Sequence, residues 1–496
     1  MKLTLRLKDY SMMVVSDTET SVLRDLSDHF TFEVPGAKFM PVVKQGRWDG
    51  KIRMLNRQNG EINVGLYQSI VEWAEAKGHE IILEANEEYG LPTDTNQLGD
   101  LSDFIKSLDL PFKPRDYQLM AFVHALKKKR AILLSPTGSG KSMMIYMLMR
   151  WYRAQANAKK VLVIVPTTSL VEQMVADFED YGFDTHEHVH KIYSGKDKKT
   201  DKNIVVTTWQ SIYKLGPRWF KDYGCIFGDE VHGFKSKSLS SIMNKAVDAE
   251  YRFGTTGTLD GTQVHQLVLE GLFGPVKRVT TTAKLQEVGQ LAPLDIEIIQ
   301  LGYETQEKIQ IEGATYHEEI DFLVSHDRRN RFICDLTYNL VGNTLVLFNL
   351  VEKHGKVLQT MLNDLMADNP DNDKNLFYVS GETKSTDREQ IRNIIDRQKN
   401  GIVLASLGTF STGINIRNIH NIVFASPSKA QIRVLQSIGR GLRVSDDGRE
   451  TRLYDIADDL RVKGTSKPNF TLTHCGERIR IYKSESFKFN VRSKPV

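Results

Sequence analysis

Three short segments of this chain carry residues whose types and spacing can do phosphate chemistry. In the first, Pro136-Thr137-Gly138-Ser139-Gly140-Lys141-Ser142 follows the apolar run AILLS and precedes the helical pattern MMIYMLMRWY. Glycines at 138 and 140 let backbone N–H groups close around phosphate oxygens, and the start of a helix adds partial positive charge. Lys141 would reach the β- and γ-phosphates, and the Ser142 hydroxyl would ligate Mg²⁺. Ser135 stands where the strict form of such a loop has its first glycine. An accidental glycine-rich turn is the bland alternative, and the strand–turn–helix surroundings argue against it. In the second segment, Asp229-Glu230-Val231-His232 closes the run CIFGDE. An aspartate at a strand end suits a Mg²⁺ partner, and the adjacent Glu230 can polarise an attacking water. Acidic pairs at strand ends are usually just solvated, so this one draws its meaning from the loop upstream. The third segment, Gln436-Ser437-Ile438-Gly439-Arg440-Gly441-Leu442-Arg443, puts two arginines three residues apart on one helix face. Their planar, permanent charges suit phosphate oxygens. They would act as arginine fingers if two lobes close on a nucleotide, and would otherwise be an ordinary surface pair.

These segments need strands to carry them. From Phe112 onward short apolar runs (AILLS, VLVIV, NIVVTT, CIFGDE) alternate with helical periods, and a second series follows (TLVLF, LFYV, GIVLA, NIVFA, RLYDI). Strands alternating with helices predict parallel sheets built from βαβ units. The expected organisation is a small N-terminal α+β domain (residues 1–83) and an acidic linker (84–111), then a first lobe (112–285). An irregular inter-lobe connection (286–330), a second lobe (331–459) and a basic C-terminal extension (460–496) complete it.

Composition narrows the classes. With 40% hydrophobic and 26% charged residues, the 496-residue chain has the material for several cores. Its apolar runs are far shorter than the roughly 20 residues a spanning helix needs, and MKLTLRLKDY has no signal-peptide core, so no membrane partner and a cytoplasmic location (host cytoplasm if phage-encoded) are expected. Three scattered cysteines offer neither a zinc site nor a disulfide framework. The net charge is only +4, but residues 460–496 hold 9 Lys/Arg against 2 Asp/Glu. Gly36–Arg57 likewise carries Lys38, Lys44, Arg47, Lys51, Arg53 and Arg57 against Asp49 alone. Trp48 among these bases could stack on an unpaired base while they hold phosphates. The competing reading makes Trp48 a core residue and the charges a solvated face.

PTGSGKS, VPTTSLVEQ, TTWQS, DEVH, Thr256-Gly257-Thr258, ASLGTFSTGIN and QSIGRGLR occur in that order, and together they resemble motifs I, Ia, Ib, II, III, V and VI of superfamily 2 helicases. That family tolerates Ser135 in its loop. Upstream, Arg115-Asp116-Tyr117-Gln118 resembles its adenine-reading element. Outside the shared motor, RWDGKIRML, YHEEIDFLVSHDRRN and HCGERIRIYKSESFKF are similar to segments of the recombination and repair helicases of T-even phages. The resemblance implies an α/β fold of two RecA-like parallel-sheet lobes and an ATP-dependent, Mg²⁺-requiring DNA helicase. Arg115, Tyr117 and Gln118 would read adenine, and Pro136, Thr137, Gly138, Ser139, Gly140, Lys141 and Ser142 would cradle the phosphates. Ser142 and Asp229 would serve Mg²⁺, Glu230 would serve water, and Gly413 and Asn415 would approach the nucleotide from the second lobe. His232, Thr256, Thr258 and Gln436 would couple the lobes, with Arg440 and Arg443 as fingers. Thr167, Thr208, Ser380 and Ser406 would touch a nucleic-acid backbone unless they merely cap strand ends, as Ser and Thr often do. Lys44, Arg47, Trp48, Lys51 and Arg53 are the N-terminal candidates for the same partner.

The substrates implied are single-stranded, forked and four-way DNA and RNA–DNA hybrids. Recombination or single-strand-binding proteins are candidate partners, and a monomer is expected. The motor motifs leave a DExH-type RNA helicase open, and an ATP-binding clamp without motor activity is a third reading, against which the intact Lys141, Glu230, Arg440 and Arg443 speak. No nuclease or methyltransferase motif supports a restriction-enzyme motor subunit.

Overall fold

The computed structural model describes residues 1–34, 36–92, 99–136, 138–193, 196–234, 236–257, 259, 263–290, 294–369, 373–409, 418–426, 451–462 and 467–496. The chain divides into two units, residues 1–135 with 140–280 and residues 281–496 with 136–139.

The first unit begins with a mixed four-stranded sheet in the order β5-β2-β1-β6, where β1 is Lys2–Leu7, β2 Met12–Ser16, β5 Glu61–Asn63 and β6 Glu80–Glu84. Alternation fixes its faces: Leu3, Leu5 and Leu7 are buried, whereas Lys2 and Arg6 are exposed. A two-stranded antiparallel ribbon, β3 (Thr31–Glu33) and β4 (Lys51–Arg53), stands beside it. This domain is bonded to the lobe that follows. Ser11 Oγ donates to the Met243 carbonyl at 2.9 Å, and Asn63 Nδ2 donates to Asn244 Oδ1 at 3.1 Å. The fully buried Arg252 guanidinium donates to Ser11 Oγ at 2.6 Å.

The lobe is a seven-stranded sheet in the order β13-β7-β12-β11-β8-β10-β9. Its strands are β7 (Arg130–Leu134), β8 (Lys160–Val165), β9 (Val189–Ile192), β10 (Ile204–Thr208), β11 (Tyr223–Asp229), β12 (Tyr251–Thr256) and β13 (Val276–Arg278), all paired in parallel. Both faces are covered, which is why β8 reads as an unbroken apolar run. Val161, Val163 and Val165 enter one core with the helices Asp116–Lys128, Lys141–Arg153 and Thr168–Asp180, while Leu162 and Ile164 enter the other. The segment expected as an acidic linker contains a helix, Leu101–Ser107, capped by Asp100. Its Phe104 stacks on Phe122 with centroids 6.1 Å apart.

The second unit is another seven-stranded parallel sheet, β16-β17-β15-β18-β19-β14-β20. The strands are β14 (Leu294–Gly302), β15 (Thr344–Phe348), β16 (Asn375–Val379), β17 (Gly401–Ser406), β18 (Asn421–Phe424), β19 (Thr451–Asp459) and β20 (Lys488–Pro495). Two expectations are corrected here. The stretch 286–330 is not an irregular connection: β14 lies inside the sheet between β19 and β20, and the helices Thr305–Gln310 and Tyr316–Ser325 follow it. Leu294, Ile296, Ile298, Ile299 and Leu301 supply the buried side chains that hold it there. Nor is 460–496 a separate basic extension. It forms the helix Phe470–Ser484 and the edge strand β20. Arg478, fully buried, pairs with Asp455 of β19 at 2.7 Å, and Tyr482 donates to the same carboxylate at 2.9 Å. Two further bases of this segment make surface pairs, Arg461 with Asp459 and Arg492 with Glu297, and apart from Arg478 its described Lys and Arg residues are exposed.

Candidate active site: a phosphate loop and two carboxylates

Parallel pairing lines up the C-terminal ends of β7, β12 and β11 on one sheet edge, the edge where ligands of open α/β sheets bind. Leaving β7, the chain turns and enters the helix Lys141–Arg153. Gly138 and Gly140 both have positive φ, +82° and +78°, as this turn requires. A side chain at Gly140 would also collide with Gln118 Nε2. Gln118 is itself buried, and its Oε1 accepts the Arg115 backbone N–H at 2.9 Å, so the expected adenine-reading element is folded against the start of the phosphate-loop helix. Arg115 Nη1 donates to the Tyr117 hydroxyl at 3.0 Å. Within the loop, Ser139 Oγ donates to the Pro136 carbonyl at 2.7 Å.

Lys141 bridges loop and carboxylates. Its ammonium lies 3.1 Å from Glu230 Oε1 and 3.4 Å from the Ser135 carbonyl. Asp229, the last residue of β11, is buried and accepts a hydrogen bond from Thr255 Oγ1 at 2.6 Å. Burial, reinforced by the Glu230 charge, pushes its carboxyl up to about 6, against the pull of Lys141 and Thr255. Burial also works against the charge on Glu230, but Lys141 and then His232 outweigh it and hold that carboxyl below its ordinary value. Glu230 sits in left-handed backbone, φ +50° and ψ +48°, which costs a non-glycine residue on the order of 1–3 kcal/mol. That turn aims the carboxylate at Lys141. Its other oxygen lies 3.3 Å from His232 Nδ1 and accepts the Gly257 N–H at 3.4 Å. His232 Nδ1 in turn lies 2.6 Å from Thr256 Oγ1, so the DEVH turn is tied to the end of β12.

Residues 2–84 match the family described as DNA helicase UvsW, N-terminal. Residues 111–261 match the type III restriction enzyme res subunit, and residues 328–445 the helicase conserved C-terminal domain. Across 99% of both chains the sequence is 33% identical to the ATP-dependent DNA helicase uvsW of enterobacteria phage T4. This chain belongs to the UvsW family of helicases. The crystal structure of T4 UvsW covers all of both chains at a TM-score of 0.52 and 30% identity. The DNA 3′-5′ translocase XPB2 of Sulfurisphaera tokodaii is 24% identical over 71% of this chain and 82% of its own. The restriction–modification enzyme LlaBIII, bound to DNA, shares the fold at a TM-score of 0.56 and 16% identity, covering 85% of this chain and 34% of its own. As a UvsW-family member the chain is an enzyme, a superfamily 2 helicase that uses ATP and binds nucleic acid. Among the described residues no helix is long and apolar enough to cross a membrane.

The remaining expected residues are placed unevenly in this UvsW-family fold. Thr137, Thr258, Gly413, Asn415, Gln436, Arg440 and Arg443 lie outside the described residues. Thr167 caps the helix Thr168–Asp180, its Oγ1 accepting from the Leu170 N–H at 3.4 Å. Thr208 Oγ1 lies 2.9 Å from Ser211 Oγ, and the buried Ser406 hydroxyl donates to Thr409 Oγ1 at 2.7 Å. Ser380 Oγ accepts the Glu382 N–H at 3.4 Å. Each therefore has a local structural partner. Trp48 is half-buried, its ring N–H donated to the Lys51 carbonyl at 2.9 Å, while Lys44, Arg47, Lys51 and Arg53 are exposed and Arg53 pairs with Asp49. Two residues escaped the sequence reading. Thr255 is the neighbour of Thr256 in the TTGT run, where a hydroxyl beside Asp229 could have been inferred. Tyr181, whose hydroxyl lies 2.9 Å from Ser142 Oγ, carries no sequence signal, because a tertiary contact across 39 positions brings it there.

Proposed function

We propose that this helicase hydrolyses Mg²⁺-ATP at the Lys141–Asp229–Glu230 site to unwind or migrate branched DNA and to dissociate RNA–DNA hybrids. The observation that carries the reading is the 3.1 Å Lys141–Glu230 pair. A triphosphate supplies a stronger anion for Lys141, and the Glu230 carboxylate it releases is then free to orient water. The donor set fits the metal as well. Ser142 and Asp229 offer hard oxygen ligands of the kind Mg²⁺ takes together with substrate phosphates. Bound there, Mg²⁺ would offset charge on the β- and γ-phosphates. Thr255 positions the Asp229 carboxylate, and His232 with Thr256 links Glu230 to the end of β12.

The branched-DNA part of the proposal rests on the family relationship through both ends of the chain and on the exposed bases at Lys38, Lys44 and Arg47. Phosphate contacts from such residues hold a duplex without reading its sequence. ATP hydrolysis measured against single-stranded, forked, four-way, hybrid and all-RNA substrates tests this. Stimulation by forks, four-way junctions and hybrids is expected. Stimulation by RNA alone would favour an RNA helicase, and no hydrolysis on any substrate would leave a clamp.

A further inference from the structure

Between β3 and β4 the chain makes an excursion from Gly36 to Gly50 that ends in an unusual surface. Phe39 is 69% exposed, Met40 40% and Val42 47%, with Pro41 between them also exposed, so four consecutive apolar residues face solvent at one tip. The tip is held at its base by hydrogen bonds. The β3–β4 ladder closes its base, and the Val34 N–H donates to the Gly50 carbonyl at 2.8 Å. Ala37 is buried, and the Trp48 indole N–H holds the Lys51 carbonyl. Turn hydrogen bonds then run through it: Phe39 N–H to Gly36 O, Lys44 N–H to Met40 O, Arg47 N–H to Val42 O, each at 3.0 Å. Around the apolar tip stand Lys38, Lys44 and Arg47, exposed and without an ion pair among the described residues, Lys38 lying 5.2 Å from the Phe39 ring centroid.

A hydrogen-bonded apolar tip with three exposed cations in the same excursion fits one partner chemistry well. Base faces are apolar and flat, phosphates are anionic, and the two alternate along a strand. Protein wedges that unstack bases have this composition, and aromatic stacking on a base tolerates any sequence. The helical part of the tip, Pro41–Lys44, is a single turn, far too short to lie as an amphipathic helix in a lipid surface. We propose that Phe39 and Met40 form a stacking wedge that takes the terminal base pair at a single-strand/duplex junction, with Lys38, Lys44 and Arg47 on the flanking phosphates. The proposal rests on the branched-DNA reading above and adds the atoms that part the strands.

The test uses the full-length chain and a forked duplex carrying 2-aminopurine in the first base pair of its duplex arm. Bound without nucleotide, the wild type is expected to raise its fluorescence several-fold as the base leaves its stack. Phe39→Ala, a surface change whose fold is checked by thermal melting, should leave the signal near that of free DNA at saturating protein and slow fork unwinding on the order of tenfold. An unchanged signal and unwinding rate in Phe39→Ala overturns the wedge. If Lys44→Ala/Arg47→Ala weakens fork binding while Phe39→Ala does nothing, the wedge fails and the phosphate grip stands. Should Phe39→Ala instead lose binding to anionic phospholipid vesicles with its DNA behaviour intact, the tip is a lipid contact and the wedge again fails. A wild type that neither unwinds forks nor migrates four-way junctions contradicts the branched-DNA reading itself.

Discussion

At the scale of residues, the site is a set of charges that restrain one another. Lys141 is shared between Glu230 and the Ser135 carbonyl and its charge also acts on Asp229, so removing it takes away a cation that offsets both carboxylates. We expect Lys141→Ala to cut ATP hydrolysis by at least about 10²-fold, the order seen when a preorganised charge stabiliser is removed. Its thermal melting should stay close to wild type; turnover near wild type would place the nucleotide elsewhere. A second charge effect sits in the other unit. His354 is buried between Ser426 Oγ at 2.6 Å and Asn330 Oδ1 at 3.2 Å. Burial, aided by the Arg329 charge, pushes it from 6.5 down to about 3. The unfolded chain therefore takes up a proton near pH 6.5 that the folded chain refuses. Stability is full above pH 6.5 and lost as pH falls toward 3, by about 1.4 kcal/mol per pH unit from this group. Urea titrations at pH 7 and pH 5 should show His354→Gln losing less stability on acidification than wild type, by up to about 2 kcal/mol. Equal losses would mean that His354 is protonated in the fold.

At the scale of elements, two tight fits hold the site edge and the second sheet. Gly228 precedes Asp229 and is paired in register with Gly254 on β12. A Cβ at Gly228 would lie 2.7 Å from Val231 Cγ1 and 2.9 Å from Phe273 Cζ, so the Phe273 ring occupies the space that a side chain would take. Gly228→Ala should therefore overpack the strand that carries both carboxylates. A loss of about 1–3 kcal/mol in urea unfolding is expected, and no loss would show that Phe273 can move aside. Truncation after Asp459 removes β20 together with Arg478, leaving Asp455 buried without its cation. Breaking such a pair alone costs roughly 3–5 kcal/mol. We expect the truncated chain to lose cooperative unfolding of its second unit, and a wild-type melt would refute the integration of this segment. The strands that align the chemistry were legible as apolar runs, because parallel strands buried on both faces advertise themselves. The helix Leu101–Ser107 was hidden by acidic, turn-rich neighbours. Strand β14 was hidden because Asp295, Glu297 and Gln300 interrupt its apolar residues, and it joins β19 and β20 far away in sequence.

At the scale of the whole molecule, the chain is two parallel-sheet units preceded by a domain that is hydrogen-bonded into the first. Motif order pointed to Lys141, Asp229 and Glu230 as candidate catalytic residues and to His232 and Thr256 as coupling residues before any geometry. These five side chains lie together, whereas Gln436, Arg440 and Arg443 lie outside the described residues. What stayed hidden was whatever depends on tertiary approach, such as Tyr181 beside Ser142 and the burial of Arg478 in a segment that looked like a basic tail. Local charge counting could not single out Arg478, since a count does not distinguish a solvated arginine from one paired in a core. The other described Lys and Arg residues of that segment, like those of Gly36–Gly50, are exposed. If the Lys141–Glu230 site drives strand rearrangement, ATP-dependent migration of a synthetic four-way DNA junction by wild type and by Glu230→Gln shows it most directly. The amide keeps the shape of the side chain but loses the charge that orients water. Wild type should resolve the junction only with ATP, while Glu230→Gln binds both nucleotide and junction and leaves it intact. Migration by Glu230→Gln at the wild-type rate, or by wild type without ATP, would mean that hydrolysis at this site does not drive the strands.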